Sequence, residues 1–405
     1  MKRRVLSPFF LLCIVGGLAI FSSTMAKNPA LPLFIRSLGV SPGTVGFVAA
    51  ASTVVGIVIS IPAGILSDVI GRRKVLLISL VVFATAPFLY LLVRDAWHLV
   101  LVRVYHGLAT AILGPVAMAT VADLYDARRG ERMAWYSSAT MVGRFLAPTA
   151  GGLLILGDSF QWVYLAVGVV GVMALLVALQ LPRLKDATEV STEGASAQML
   201  QSWQAVRQDL AVLVRNSRLL ATSLVEATQY FSFGFVEVYL PIYLFEQVGL
   251  APWQIGPLFT GQIIVAAVVK PFSGRLSDRV GRVPMITAGM LVCATSVFLM
   301  PIASSYAILM LAVAFYGLGL ATVTASTSAF AADLATATTH GAALGTLSSI
   351  MDIGHSTGPM VGGLLVGALG YQIAFHYVAA GIAAVALLYA WRVGVAQRAP
   401  ARSQA

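Results

Sequence analysis

GILSDVIGR, from Gly64 to Arg72, recurs as GRLSDRVGR from Gly274 to Arg282, 210 residues further along the chain. Six of the nine residues are identical, and in both places the string separates two long apolar stretches. An internal repeat in so apolar a chain indicates that one membrane bundle has been duplicated and fused. Further matches keep the same order, with one residue inserted in the second copy: Gly107, Asp123, Gly143, Pro148, Gly151 and Gly152 correspond to Gly317, Asp333, Gly354, Pro359, Gly362 and Gly363.

The composition indicates that the chain folds in lipid. Hydrophobic residues make up 59% of its 405 residues and charged residues only 10%, against roughly 25% charged in soluble proteins. The net charge of +10 fits basic loops that face an anionic leaflet better than it fits a nucleic-acid partner. Cys13 and Cys293 lie in apolar runs and the five histidines lack metal-ligand spacing, so we expect neither a disulfide nor a metal site.

Twelve apolar stretches approach the ~20 residues that cross a bilayer as a helix. These predicted spans 1 to 12 fall at about 7–26, 43–66, 75–93, 97–121, 133–155, 160–181, 217–243, 254–273, 284–304, 307–331, 342–366 and 373–391. The sequence therefore predicts an all-α membrane protein with twelve transmembrane helices in two pseudo-symmetric bundles. The predicted domains are an N-terminal six-helix bundle (1–181), a cytoplasmic linker (182–216), a C-terminal six-helix bundle (217–392) and a cytoplasmic tail (393–405).

The distribution of basic residues predicts the orientation in the membrane. With both termini in the cytoplasm, 20 of the 26 Lys and Arg residues face the cytoplasm, and only Lys27, Arg36 and Arg94 lie on the other side. We therefore expect a multi-pass protein of the cell inner (plasma) membrane. Within the linker, apolar residues at helical spacing from Met199 to Val214 predict a helix on the membrane surface, with a soluble regulatory helix as the alternative.

The repeated string resembles a loop motif of the major facilitator superfamily. That motif reads Gly-x-Leu-x-Asp-x-x-Gly-Arg-Arg/Lys, and the first copy matches it fully from Gly64 to Arg73. The second copy has Val283 and Pro284 after Arg282, so it lacks the trailing basic pair. The resemblance covers nearly the whole chain, is strongest to the twelve-span drug:proton antiporter group, and implies the major facilitator fold.

The charges of this motif predict a conformational latch on the cytoplasmic side. Asp68 ends span 2, Asp123 ends span 4, and Arg72 could bridge the two carboxylates. Gly71 permits a tight reversal between two long helices. The resemblance implies that the N-terminal end of span 11 is a helix-dipole partner for Asp68, and that the set holds the cytoplasmic side shut while the outer side is open. The second half supplies the counterpart: Asp278, Gly281, Arg282 and Asp333.

Spans 5 and 11 carry a pattern that resembles the superfamily's antiporter motif, G-x-x-x-G-P-x-x-G-G. Span 11 has the full pattern, and span 5 has Ala147 in place of one glycine. Small residues let helix backbones approach closely and proline bends a helix, so we expect a kinked hinge beside a central cavity. The hinge residues are Gly143, Pro148, Gly151 and Gly152 in span 5, and Gly354, Gly358, Pro359, Gly362 and Gly363 in span 11.

Ionisable residues inside the spans are candidates for proton coupling or for lining the cavity. Arg103 in span 4 resembles the arginine of the family's R-x-x-x-G motif, which implies a cavity-facing side chain linked to proton transfer. Snorkelling to the nearby interface is the alternative. In span 7, Glu226 and Glu237 lie eleven residues apart, close to three helical turns, on a stripe shared with Tyr230 and Phe233.

Span 11 adds a second candidate group. Asp352 and His355 lie one turn apart near its middle, and His355 corresponds through the repeat to Arg144 in span 5. Span 1 lacks the acidic residue that many drug–proton antiporters of this superfamily carry. A proton carrier is therefore expected in span 7 or span 11, where mid-membrane depth favours Glu226 and Asp352. A local ion pair that stabilises packing is the alternative for each of these groups.

We expect a secondary active transporter that is not an enzyme and needs no cofactor. The sequence has no P-loop that would hydrolyse ATP. The resemblance implies proton-coupled efflux of a small amphipathic molecule by alternating access, as in multidrug resistance. A proton-coupled importer of a sugar, organic acid or other nutrient is the alternative, and a transport-inactive receptor is a third possibility. The expected partners are a small-molecule substrate, protons and membrane lipids, with the chain acting as a monomer.

Overall fold

The fold is given by a computed structural model, which describes residues 7–124, 128–157, 159–182, 204, 216–334 and 340–398. These residues are helical almost throughout, and no extended strand occurs among them. The predicted membrane-surface helix of the linker lies outside the described residues, as does the predicted tail from residue 399 onward.

Long helices follow the twelve predicted stretches. In chain order, spans 1 to 12 are Pro8–Lys27, Pro42–Ile70, Arg72–Tyr90, Ala96–Leu124, Arg129–Leu154, Gln161–Leu179, Ser217–Glu246, Pro252–Val280, Arg282–Leu299, Tyr306–Leu334, His340–Leu369 and Tyr371–Arg398. A short helix that the sequence analysis did not predict, Ala30–Ser37, follows span 1. Span 1 stops before Pro29 because the residue that precedes a proline is disfavoured in the helical conformation.

Apolar length alone identifies most of these spans. Nine of the described helices are long and apolar enough to cross a membrane, and the chain is a multi-pass membrane protein. The three long helices outside that set are spans 5, 7 and 11. Each of these three carries charged residues within the span, namely Arg144 in span 5, Glu226 and Glu237 in span 7, and Asp352 in span 11.

The helices divide into two compact units. Unit 1 comprises residues 1–202 and 244–260, and unit 2 comprises residues 203–243 and 261–405. The domain boundaries predicted from the sequence stay predictions. Residues 244–260 belong to unit 1 and make specific contacts in it. The Thr260 hydroxyl donates a hydrogen bond to the Phe145 carbonyl in span 5 at 2.8 Å, and Glu246 pairs with Arg36.

Within each unit, corresponding glycines bring corresponding helices together. In unit 1, Gly107 of span 4 packs against the Ser52 carbonyl of span 2, and a β-carbon at Gly107 would lie 2.9 Å from that oxygen. In unit 2, Gly317 of span 10 packs against the Gln262 carbonyl of span 8. Both residues of the second contact lie 210 positions after those of the first. The repeated sequence thus forms a repeated helix crossing.

The core of unit 1 is built from apolar side chains of several spans. Leu12 of span 1, Phe83 of span 3, Val116 of span 4 and Ala174 of span 6 are all buried in one cluster. Because lipid tails are as apolar as leucine, close packing rather than exclusion of water stabilises such a core. This explains why glycines hold the helix crossings, where bulkier residues would separate the backbones.

Candidate functional site

The loop between spans 2 and 3 holds a compact charged cluster in unit 1. Gly71, with φ +99°, is the single residue between the two helices. Arg72 Nη1 lies 2.6 Å from Asp68 Oδ1, and Arg72 Nε lies 3.0 Å from Asp123 Oδ2 at the end of span 4. One guanidinium therefore bridges two carboxylates that belong to different helices.

Unit 2 repeats this cluster at the corresponding residues. Arg282 Nη1 lies 2.5 Å from Asp278 Oδ1, and Arg282 Nε lies 2.8 Å from Asp333 Oδ2. Gly281, with φ +104°, again joins the two helices. The Asp278 side chain is 60% exposed, against 33% for Asp68, so the Arg282–Asp278 pair is more strongly screened by water than the Arg72–Asp68 pair.

Serine side chains support both arginines, and the sequence analysis missed them. Arg72 Nη1 donates to Ser67 Oγ at 2.5 Å, while the Ser67 hydroxyl donates to the Gly64 carbonyl at 2.6 Å. Arg282 and Ser277 make the same contact at 2.6 Å. The signal was available, because this serine precedes the aspartate in both copies of the string. Each serine ties its arginine to the last turn of the preceding span.

The glycines of span 5 hold that span against span 1. A β-carbon at Gly143 would overlap the Gly17 carbonyl oxygen, and one at Gly151 would lie 3.1 Å from the Met25 carbonyl oxygen. Gly152 instead packs against the Pro252 carbonyl, at the start of span 8 and within unit 1. The predicted hinge of span 5 therefore has two contact surfaces.

The glycines of span 11 make the corresponding contacts in unit 2. Gly354 packs against the Ala227 carbonyl, and Gly358 against the Phe231 carbonyl, both in span 7. Gly362 packs against the Phe235 ring. Pro359 and Gly363 are buried in the same helix. These residues set a close crossing of spans 7 and 11, and the polar residues of those spans lie along it.

Arg103 lies inside unit 1. The residue is only 3% exposed. Its Nη2 donates a hydrogen bond to the Ala49 carbonyl of span 2 at 2.7 Å. The side chain is thus held by a backbone carbonyl of span 2, and the role in proton transfer implied for Arg103 stays a prediction. Nearby in span 4, His106 lies 3.3 Å from the Tyr90 hydroxyl through Nδ1, so span 4 contributes a buried polar group to the interior of this unit.

Glu226 is the most deeply buried acidic side chain of span 7. The residue is 1% exposed, and the Thr327 hydroxyl of span 10 donates to its Oε2 at 2.6 Å. Lys270 of span 8 interacts with the carboxyl group electrostatically. Sequence reasoning missed Thr327, because one threonine in a span rich in Ser and Thr carries no signal of its own. The site is a carboxyl group enclosed by unit 2, with one hydroxyl donor and one cation.

Glu237 makes its contact with span 11. Its Oε2 lies 2.9 Å from His355 Nε2, and both side chains are about one-fifth exposed. Phe233 stacks on the His355 ring, with centroids 5.3 Å apart and planes 29° apart. Tyr230 meets Phe233 edge-on at 6.1 Å. Two of the predicted span 7 residues, Glu237 and Phe233, thus contact His355, and Tyr230 contacts Phe233.

The two predicted carboxylates of span 7 therefore contact different helices. Glu226 contacts span 10 and Glu237 contacts span 11, although their spacing places both on one stripe. Asp352 lies one turn before His355 and is partly buried. Arg144, the repeat equivalent of His355, is exposed in span 5 of unit 1. Among the residues that the structure describes, no cluster of His, Cys, Asp and Glu side chains could hold a metal ion.

Comparison with known proteins gives a consistent result. The sequence model of the Major Facilitator Superfamily matches residues 12–256 and 222–405. Multidrug resistance protein 2 of Bacillus subtilis is 22% identical over 351 residues, which cover 86% of this chain and 85% of that protein. The quinolone resistance protein NorA of Staphylococcus aureus is 23% identical over 341 residues, covering 83% and 84%. A variant of the nucleoside transporter NupG superposes with a TM-score of 0.81 at 15% identity, covering 95% of this chain and 99% of NupG. At that identity the last similarity shows the fold alone.

Proposed function

The chain belongs to the major facilitator superfamily, and from this premise we propose that it exports a small amphipathic molecule in exchange for protons. It is a transporter rather than an enzyme. The relatives named for drug resistance, multidrug resistance protein 2 and NorA, support export over import. In the proposed orientation both termini lie in the cytoplasm and the spans cross the inner membrane.

The observation that carries this proposal is the buried carboxyl group of Glu226. A bare carboxylate away from water is unfavourable unless it is protonated or paired. The Thr327 hydroxyl donates a hydrogen bond to it, and the charge of the exposed Lys270 acts on it electrostatically. Such a group can release its proton when a rearrangement brings Lys270 or water closer, and rebind it when they withdraw. Asp352, partly buried in span 11, is the second candidate for the carrier.

The duplicated charged clusters support alternating access as the mechanism. Each cluster joins the loop between two spans to the end of a third through a single arginine. In the proposed orientation both clusters lie at the cytoplasmic surface, far from a midplane substrate site. We therefore assign them to latching that surface rather than to binding substrate.

Direction and coupling can be tested together. Everted vesicles from cells that overproduce the protein should take up a substrate when a proton gradient is imposed, and the recorded internal pH should rise as protons leave. A quinolone, a cationic dye and an aryl carboxylate make a first panel. In intact cells the same substrate should be held at a lower level than in controls, and a protonophore should remove the difference. Proton-dependent accumulation inside intact cells would instead establish the importer.

A further inference from the structure

We propose that Arg144 binds an anionic group of the transported molecule, so that the substrate is an organic anion bearing a carboxylate, sulfonate or phosphate. This inference rests on the proposed transport function, because it assigns a residue and a chemical class to the substrate site. It does not depend on the direction of transport or on the coupling ion.

The position of Arg144 on its helix excludes a lipid-facing side chain. Exposed apolar residues mark the lipid face of span 5, where Val142, Leu146 and Leu153 are 48%, 49% and 57% exposed. Successive helical residues are about 100° apart around the axis. Arg144 is two residues from both Val142 and Leu146, so its side chain lies about 160° around the helix from each of them. The side chain is exposed, yet it points away from the lipid stripe.

The residues that share this side of span 5 are more polar than the lipid stripe. Ser137 is exposed and Thr140 is partly exposed, two turns and one turn before Arg144. On the flank between the two faces, Gly143 is buried against span 1. An exposed arginine within a membrane span faces water or a partner almost without exception, so we infer that this side of the helix lines a water-filled space.

Arg144 has no counter-charge of its own. It forms no ion pair and no hydrogen bond with any residue that the structure describes. A guanidinium carries five N–H donors in a planar fork and stays charged at every physiological pH. At mid-membrane depth that charge is poorly solvated, so an anion that enters the cavity gains a charge-assisted, bidentate contact there.

The repeat shows why the counter-charge is absent. In unit 2 the equivalent residue, His355, pairs with Glu237. The position equivalent to Glu237 in the first copy is Lys27, 210 residues earlier. The first copy therefore has a cation at the position where the second copy has the acidic partner.

The helices that carry these residues cross in the same way in both copies. Gly143 packs against the Gly17 carbonyl in unit 1, and Gly354 packs against the Ala227 carbonyl in unit 2. These are equivalent contacts between spans 1 and 5 and between spans 7 and 11. The second copy places an acidic side chain beside its histidine, whereas the first copy has Lys27 and Arg144 at the two equivalent positions. A negatively charged substrate group would complete the first copy.

A charge series on one ring system tests this assignment. The full-length protein in detergent is titrated with naphthoate, naphthalenesulfonate, neutral naphthamide and cationic naphthylmethylammonium, and binding is followed by thermal stability. We expect the two anions to raise the melting temperature of the wild type and the cation to have no effect. Arg144→Gln should weaken anion binding about tenfold or more, the loss expected for a hydrogen bond to a charged group. Arg144→Lys should retain part of the affinity.

Arg94→Gln is the matched control, since Arg94 is an exposed arginine outside the spans; it should leave binding unchanged. The proposal is overturned if Arg144→Gln binds naphthoate as tightly as the wild type. It is equally overturned if the cation binds more tightly than the anions, or if neither anion binds. Because no gradient is present, a failure of proton-coupled export leaves this binding result intact, and the two failures remain distinguishable.

Discussion

Arg36 and Glu246 occupy equivalent positions in the two copies of the repeat, and their side chains form an ion pair with 2.5 Å between Nε and Oε1. Arg36 lies in the short helix after span 1, and Glu246 is the last residue of span 7. Both belong to unit 1. Arg36 also donates from Nη1 to the Val40 carbonyl at 2.7 Å, which fixes its side chain. In the proposed orientation this pair lies on the outer side of the membrane.

Close backbone contacts are found toward the same end of unit 1. A β-carbon at Gly256 of span 8 would overlap the Pro148 carbonyl oxygen of span 5, and Gly152 meets the Pro252 carbonyl in the same way. The hydroxyls of Thr149 and Thr260 lie 2.8 Å apart. Span 5 and the start of span 8 therefore touch through their backbones at Gly152 and Gly256. If the protein works by the proposed alternating access, we expect this seam to separate when the outer side opens.

The ion pair should favour the closed outer side. We expect Arg36→Glu or Glu246→Arg alone to increase the labelling rate of Thr260→Cys by a membrane-impermeant maleimide about 1.4-fold to fivefold. That range corresponds to the 0.2–1 kcal/mol of a partly exposed ion pair. The native Cys13 and Cys293 are replaced by serine in all samples. The double charge exchange should return labelling to the starting rate, because it restores the attraction.

Arg94→Glu is the control for this experiment, since it reverses an exposed charge on the same predicted side and should leave the labelling rate unchanged. If the double exchange labels as fast as the single variants, the pair does not stabilise closure. Labelling requires neither substrate nor a gradient, so the measurement stands apart from the identity of the substrate.

Two glycines at close helix contacts, Gly358 of the predicted hinge and Gly256 of span 8, should differ in what they control. Gly358 packs span 11 against span 7 within unit 2, so Gly358→Val should lower stability by about 1–3 kcal/mol through overpacking. Gly256 of span 8 packs against span 5 at the seam. Gly256→Val should therefore separate the two helices and raise the labelling rate of Thr260→Cys. Gly367→Val is the control, because a β-carbon there meets nothing within 4 Å. Equal loss of melting temperature in all three variants would contradict this division.

The cytoplasmic clusters should control conformation rather than affinity. Asp68→Asn removes one of the two carboxylates bridged by Arg72, and transport should fall while the equilibrium affinity for substrate in detergent stays near that of the wild type. Asp278→Asn should act in the same direction but more weakly, since its side chain is nearly twice as exposed. Glu131→Gln, an exposed acid in the first turn of span 5, is the control. A large loss of affinity in Asp68→Asn would place this cluster in the binding site instead.

The sequence was most informative where chemistry repeats along the chain. Most of the twelve spans follow from apolar length, and the bridge from Arg72 to Asp68 and Asp123 follows from charges that recur at fixed spacing beside helix ends. The repeat also identified Arg144 and His355 as equivalent positions. These features are local, or depend on one duplication, and can therefore be predicted without a structure.

Contacts between distant spans could not be predicted in the same way. The bond from Thr327 to Glu226 and the pair of Glu237 with His355 depend on how spans 7, 10 and 11 rotate about their axes. The burial of Arg103 depends on a carbonyl of span 2. A one-dimensional pattern fixes which residues share a helix face, but it does not fix which neighbouring helix that face meets.

The buried carboxyl group of Glu226 is the first candidate for the carrier of the coupled proton. Glu226→Gln keeps the shape and the hydrogen bond from Thr327 but removes the titratable group. If Glu226 carries the coupled proton, this variant should lose pH-driven transport in proteoliposomes while still exchanging substrate across the membrane without a gradient. Asp352→Asn is tested in parallel as the second candidate. Normal accumulation against a gradient, with normal pH dependence, in both variants would exclude both carriers.

Thr327→Val tests the surroundings of the same group. Loss of the hydroxyl leaves a buried carboxyl group without its donor, which should lower stability by about 1–3 kcal/mol. Glu226→Ala combined with Thr327→Val should cost less than the sum of the single changes, because the acceptor of the hydrogen bond is already absent. A thermal unfolding cycle of the four proteins measures this coupling. Additive effects would mean that the 2.6 Å contact contributes nothing to stability, and Thr327 would then have no part in holding the carboxyl group in place.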